Sequence, residues 1–122
     1  MTTETVTVRA GDVVAYRGSL AERRGAAVYI GVCTDLRCMD ALAEADEAGK
    51  ACEPRFELFD RDGRPLRHVR RSSFVAAPAD EEPPELLLWL GAKIRVVREK
   101  ILFTYPGTPI DVWDTIEIGR PH

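Results

Sequence analysis

The residues with the most chemistry in them are three cysteines and one internal histidine: Cys33, Cys38, Cys52 and His68. Thiolates with an imidazole are a donor set for structural zinc, so these four are the side chains that a Cys3His site would use. Such sites are built from closely spaced cysteine pairs on rigid turns, and only Cys33 with Cys38 comes near that spacing. The expectation is therefore no metal, and three small buried or half-buried thiols. An odd cysteine count without a secretory leader points to reduced thiols and a cytoplasmic protein.

Arginines form the second concentration. Arg61, Arg64, Arg67, Arg70 and Arg71 fall on one stretch, and Arg23 and Arg24 share an earlier loop. Guanidinium forks grip phosphates bidentately, so these seven are the candidate nucleic-acid contacts. Asp60 and Asp62 interrupt the run, and strand alternation divides it between two faces. A solvated face is the first expectation, and nucleic-acid binding the alternative. Neutralisation inside the chain is a third course. Residues 35–53 carry six acids against two bases, whereas residues 54–79 carry six arginines against three acids. The net charge of −3 gives no general attraction to nucleic acid or to an anionic membrane.

No catalytic constellation stands out. His68 has no nucleophile at a motif spacing, and no nucleophile elbow, phosphate loop, zinc-protease helix or dinucleotide fingerprint occurs. Asp60 with Asp62, and Asp111 with Asp114, read as turn chemistry. The expectation is a protein that is not an enzyme, with no catalytic residues and no cofactor.

The elements that must position these residues follow from periodicity. A chain of 122 residues with 45% apolar content can fill one core. Gly11-Asp12 signals a turn. Val13–Tyr16 and Ala26–Ile30 then read as an antiparallel pair around a polar loop bounded by Gly18 and Gly25. Val14 and Tyr16 share the inward face of the first strand; Val28, Ile30 and Val32 lie on one face of the second, Tyr29 and Cys33 on the other. Leu36, Met39 and Leu42 recur at helical spacing, with Thr34 or Asp35 as cap and Gly49 as terminator. Phe56–Phe59, Asp62-Gly63 and Pro65–Val69 read as strand, turn, strand. After the boundary at Asp80–Pro84, Leu86, Leu90, Ile94, Val97 and Ile101 mark one helical stripe ending by Thr104. Gly91 costs this helix up to about 1 kcal/mol. Residues 110–118 form a last strand with Ile116 and Ile118 on one face, which must pair with another edge. No apolar run approaches the ~20 residues that span a bilayer.

From Gly11 to Ala77 the order is strand, loop, strand, insertion, hairpin, tight turn, short strand, and this resembles an SH3-like small barrel. The segment Arg71-Ser72-Ser73-Phe74-Val75 looks like the Ser-Asn-Tyr-Val turn that closes such barrels, with Gly18–Gly25 as their first long loop. The resemblance implies a mainly β, α+β fold: an arm or edge strand over 1–10, a barrel over 11–79 with a helical insertion at 34–52, and a helix and strand over 80–122. It also implies a binding domain of the SH3, Tudor or KOW kind. Proline-rich ligands are not expected, because the loop Ser19–Arg24 is not acidic and no tryptophan precedes Trp89. The expected function is a non-catalytic protein-interaction module, an adaptor or accessory subunit. Tyr29, Phe74, Trp89 and Trp113 are the candidate anchors for a protein partner, a second copy of the chain included.

Overall fold

Val13–Tyr16 and Gly25–Val32 pair antiparallel, Val13 opposite Val28 and Tyr16 opposite Gly25, in the computed structural model, which describes residues 4–51, 53–104 and 115–120. In chain order the elements are β1 (Thr5–Arg9), β2 (Val13–Tyr16), β3 (Gly25–Val32), α1 (Leu36–Glu47), β4 (Phe56–Phe59), β5 (Pro65–Val69), β6 (Phe74–Ala76), α2 (Glu85–Thr104) and β7 (Thr115–Gly119). Short 3-10 turns at Ala21–Arg23 and Arg71–Ser73 lead into β3 and β6. The fold is thus mainly β with two helices. Five strands pair in the order β5-β4-β3-β2-β6, and β1 with β7 makes a separate antiparallel ribbon. Both sheets are open: among the described residues no ladder joins β5 to β6. No helix among those residues is long and apolar enough to cross a membrane.

The core lies between the five-stranded sheet and the ribbon, and three aromatic rings hold its centre. Tyr29, Phe56 and Phe74 are wholly enclosed, and each pair of ring centroids is 6.0 Å apart. Tyr29 stacks on Phe74 at 20° and Phe56 meets Phe74 edge-on at 74°. Such pairs contribute about 0.5–1.5 kcal/mol each beyond burial, which decides the face of β3 that turns inward. Tyr29 and Phe74, expected as partner anchors, are therefore core residues and offer no contact surface. Ile30 and Val32 turn instead to the side of the sheet on which α2 lies. From the ribbon, Val8, Ile116 and Ile118 complete the core. The terminal strand so finds its partner in β1, while its expected first residues, 110–114, and with them Trp113, lie outside the described residues.

α1 is capped at both ends but buries nothing. The Asp35 carboxylate accepts the N–H of Arg37. At the other end Gly49, at φ +66°, lets its own N–H reach the carbonyl of Asp46 and that of Lys50 reach Ala45. This double bond pattern satisfies carbonyls that the helix leaves open, and it outweighs the unfavourable acids in the last turn.

α2 keeps part of the expected stripe, with Leu90, Ile94 and Ile101 half-buried, and adds a second line beside it. Its enclosed residues are Leu87 and Gly91, with Ile94 and Arg98 half-buried in line with them. Leu86 and Val97, which belong to the expected stripe, are 43% and 55% exposed. The reason is a close backbone approach. A Cβ on Gly91 would stand 2.3 Å from the Gly11 carbonyl oxygen, and one on Gly11, at φ +99°, would stand 2.6 Å from the Gly91 oxygen. The helix crosses the β1–β2 turn where neither chain has a side chain. Arg95 then donates to the Gly11 carbonyl at 3.2 Å and pairs with Asp12 at 2.8 Å, and Arg98 donates to the carbonyl of Ile30.

Helix propensity and the crossing make opposite forecasts for one substitution. Propensity alone has Gly91→Ala stabilise the helix by about 1 kcal/mol. Forcing a methyl into the crossing costs roughly 1–3 kcal/mol instead. We expect the urea midpoint of Gly91→Ala to fall; a rise would mean that the helix does not touch the turn.

Candidate functional site

The β4–β5 hairpin carries most of the titratable residues of interest, and a buried carboxylate shapes its turn. Asp60 is 2% exposed. Its Oδ1 accepts the N–H groups of Asp62 and Arg64, both at 2.9 Å, and its Oδ2 accepts Arg23 Nε at 2.7 Å. The Asp60 N–H donates to the Arg64 carbonyl and the Gly63 N–H to the Asp60 carbonyl, so Gly63, at φ +78°, supplies the one left-handed turn residue. Burial pushes the Asp60 carboxyl up, but the Arg64 N–H, the Arg23 guanidinium and the Asp62 N–H together outweigh it and hold it below 3.8.

Beyond the turn, β5 is irregular. Leu58 faces Leu66 and Phe56 faces Val69, so β5 uses three steps where β4 uses two. The extra residue keeps Leu66 and Val69 both in the core and leaves Arg67 and His68 both outside. Within this bulge His68 stands at φ +60°, the only non-glycine with positive φ among the described residues. Bulges of this type re-aim side chains, and the position usually belongs to glycine.

The imidazole is turned onto two cysteines. Cys33 follows β3, its N–H bonded to the Arg55 carbonyl at 2.8 Å, and is fully enclosed. Cys38 lies in the first turn of α1 and is half-buried. The Nδ1 atom of His68 is 3.6 Å from Cys33 Sγ and 2.9 Å from Cys38 Sγ. All three donor atoms lie within 4.8 Å of one another. Desolvation, then the Cys33 thiol and Asp35, push the Cys38 thiol up to about 11, against a smaller opposing pull from Arg55. Of the four residues singled out for zinc, the structure brings Cys33, Cys38 and His68 together; Cys52 lies outside the described residues.

The arginines do not form one surface. Arg23 pairs with Asp60 and also donates to the carbonyls of Arg64 and Pro65. Arg24 donates to Gly18, and Arg61 to Glu22. Arg71 pairs with Glu53 at 2.6 Å and lies over the Phe56 ring at 5.7 Å. Arg64, Arg67 and Arg70 are exposed. The Arg71–Glu53 pair links the basic stretch to the acidic segment.

Trp89 is the one expected partner anchor found at the surface, at 56% exposure, with the Lys93 ammonium 5.6 Å above its ring. It borders an apolar groove of about 500 Å³ between α2 and the outer face of β3 and β4. Ile30, Val32 and Phe59 line the sheet side, Ile94 and Val97 the helix side. Sequence reasoning missed this groove; it read Asp60 as turn chemistry, as the structure has it, but not its burial or its pairing with Arg23. Compared with protein-family models, with curated proteins and with solved structures, the chain finds no significant match in any of the three.

The Asp60 pair has a pH signature. The folded carboxyl titrates below its ordinary 3.8, so the unfolded chain binds the proton more readily. The stability this pair confers is complete above about pH 5 and is lost as pH falls through 3.8 to the folded value. We expect Arg23→Ala to cost about 3 kcal/mol at neutral pH, since it strands a buried carboxylate. The deficit relative to wild type should shrink in urea titrations carried to lower pH; a deficit unchanged by pH would rule the carboxylate out as its source.

Proposed function

We propose that the chain is a non-catalytic protein-interaction module, an SH3-like domain extended by α2, whose contact surface is the apolar flank and groove of α2. The SH3-like reading is supported by the strand order β6-β2-β3-β4-β5 and by the tight turn at Arg71–Ser73 just before β6. One observation carries the function. Leu88, Trp89, Val96 and Val97 are 53%, 56%, 50% and 55% exposed on one helix, and Trp89 and Val97 border a groove that is itself apolar. Exposed apolar side chains beside an apolar groove mark interfaces.

The occupant is the α2 of a second copy, laid antiparallel. Charge along the segment is polarised: Asp80, Glu81, Glu82 and Glu85 precede or open the helix, whereas Lys93, Arg95, Arg98 and Lys100 fill its second half, with Glu99 the one acid there. A twofold pairing sets the acidic end of each copy against the basic half of the other, and the 20-residue helix gives a seam of about 30 Å. Trp89 of each copy then closes against the partner's groove.

Light scattering on the purified chain is expected to give a dimer that weakens with salt. Trp89→Ala and Val97→Asp change exposed side chains and should yield folded monomers. A chain with Glu81 and Glu82 changed to Lys should pair preferentially with one in which Lys93 and Lys100 are changed to Glu. Monomeric wild type, or variants that dimerise as wild type does, would overturn the pairing and leave the flank to a different protein's helix.

A further inference from the structure

We infer that Cys33, Cys38 and His68 are three ligands of a structural zinc ion that fastens α1 to the β sheet. The donor chemistry comes first. Two thiolates and an imidazole form the soft, nitrogen–sulfur set that selects zinc over the hard divalent cations. The spacing fits as well. With Zn–S near 2.3 Å and Zn–N near 2.0–2.1 Å, tetrahedral ligands stand about 3.5 Å apart across a sulfur–nitrogen edge. Cys33 Sγ and His68 Nδ1 are 3.6 Å apart. Cys38 Sγ, at 2.9 Å from the same nitrogen, has to move out by roughly half an ångström on that estimate. It sits on the first turn of a helix with no fully buried side chain and can do so.

Two further features of the fold fit this assignment. The first is His68. A histidine at φ +60° in a bulge keeps a backbone conformation that costs about 1–3 kcal/mol, and the structure uses it to turn Nδ1 onto the two sulfurs. The second is α1. It has 12 residues and no buried side chain, and Leu36 is 79% exposed. Isolated helices of that length are marginal in water. Its capping bonds close its ends but do not attach it to the sheet. A metal held by the residue that follows β3, the first turn of α1 and the bulge of β5 supplies that attachment. On binding, the two thiols give up their protons and the neutral imidazole offers the Nδ1 lone pair, so zinc affinity rises with pH.

The test uses the full chain, purified reduced and stripped with chelator. Titration with zinc against a chromophoric competitor should show one tight equivalent. Cobalt(II) in its place should show tetrahedral bands and sulfur-to-metal charge transfer. Cys38→Ser and His68→Ala alter half-buried and exposed side chains, so both should fold. Each should weaken zinc by more than the roughly 10–100-fold that an outer-shell change costs. Adding zinc should also slow amide exchange across residues 36–47 in wild type and not in either variant. Cobalt spectra without sulfur charge transfer, or variants that bind zinc as wild type does, would overturn the assignment. A Cys33–Cys38 disulfide that persists under reductant would do so too.

Discussion

The mutual contact of Tyr29, Phe56 and Phe74 is the constraint from which most of this structure follows. Three large rings from β3, β4 and β6 meet in one place, and a strand with period two can turn only one of its faces to them. Once Tyr29 is inside, Ile30 and Val32 must be covered from the other side, and α2 is the element that reaches them. Cys33, just beyond a bulge that shifts the register of β3 between Tyr29 and Gly31, is taken out of solvent and set against the His68 imidazole of β5.

Local signals in the sequence were reliable where a single residue type has a single use. Gly63 in the hairpin, Asp35 and Gly49 at the ends of α1, and the proline-rich entry to α2 all stand where turn and cap chemistry puts them. Less was legible where two readings share one pattern. Alternation shows that Tyr29 and Ile30 point in opposite directions, but not which of them faces the core. Gly91 is the sharper case. In a helical pattern a glycine reads as a loss of propensity, yet here it is the point of contact, and it extends the buried face of α2 to one side of the expected stripe.

The candidate metal ligands were legible as residue types but not as a cluster. Spacing along the chain gave Cys33 and Cys38 as a loose pair and His68 as a remote fourth member. What joins them is an extra residue in β5 and a left-handed backbone at His68, neither of which has a sequence signature when the residue is not glycine. The arginines show the converse. They looked like one surface because they are close in sequence, but Arg23, Arg24, Arg61 and Arg71 are held by Asp60, Gly18, Glu22 and Glu53 in turn.

The ribbon of β1 and β7 has a mechanical consequence. Thr5 lies opposite Gly119 and Arg9 opposite Thr115, so the incoming and outgoing chains leave the ribbon at the same end. Cross-strand bonds in such a ladder run perpendicular to the strands. Tension between those two ends therefore loads the bonds singly, and the strands unzip instead of sliding past one another in shear. Because Val8, Ile116 and Ile118 are part of the core, unzipping also strips a wall from it. Under load the domain yields first where its two ends meet.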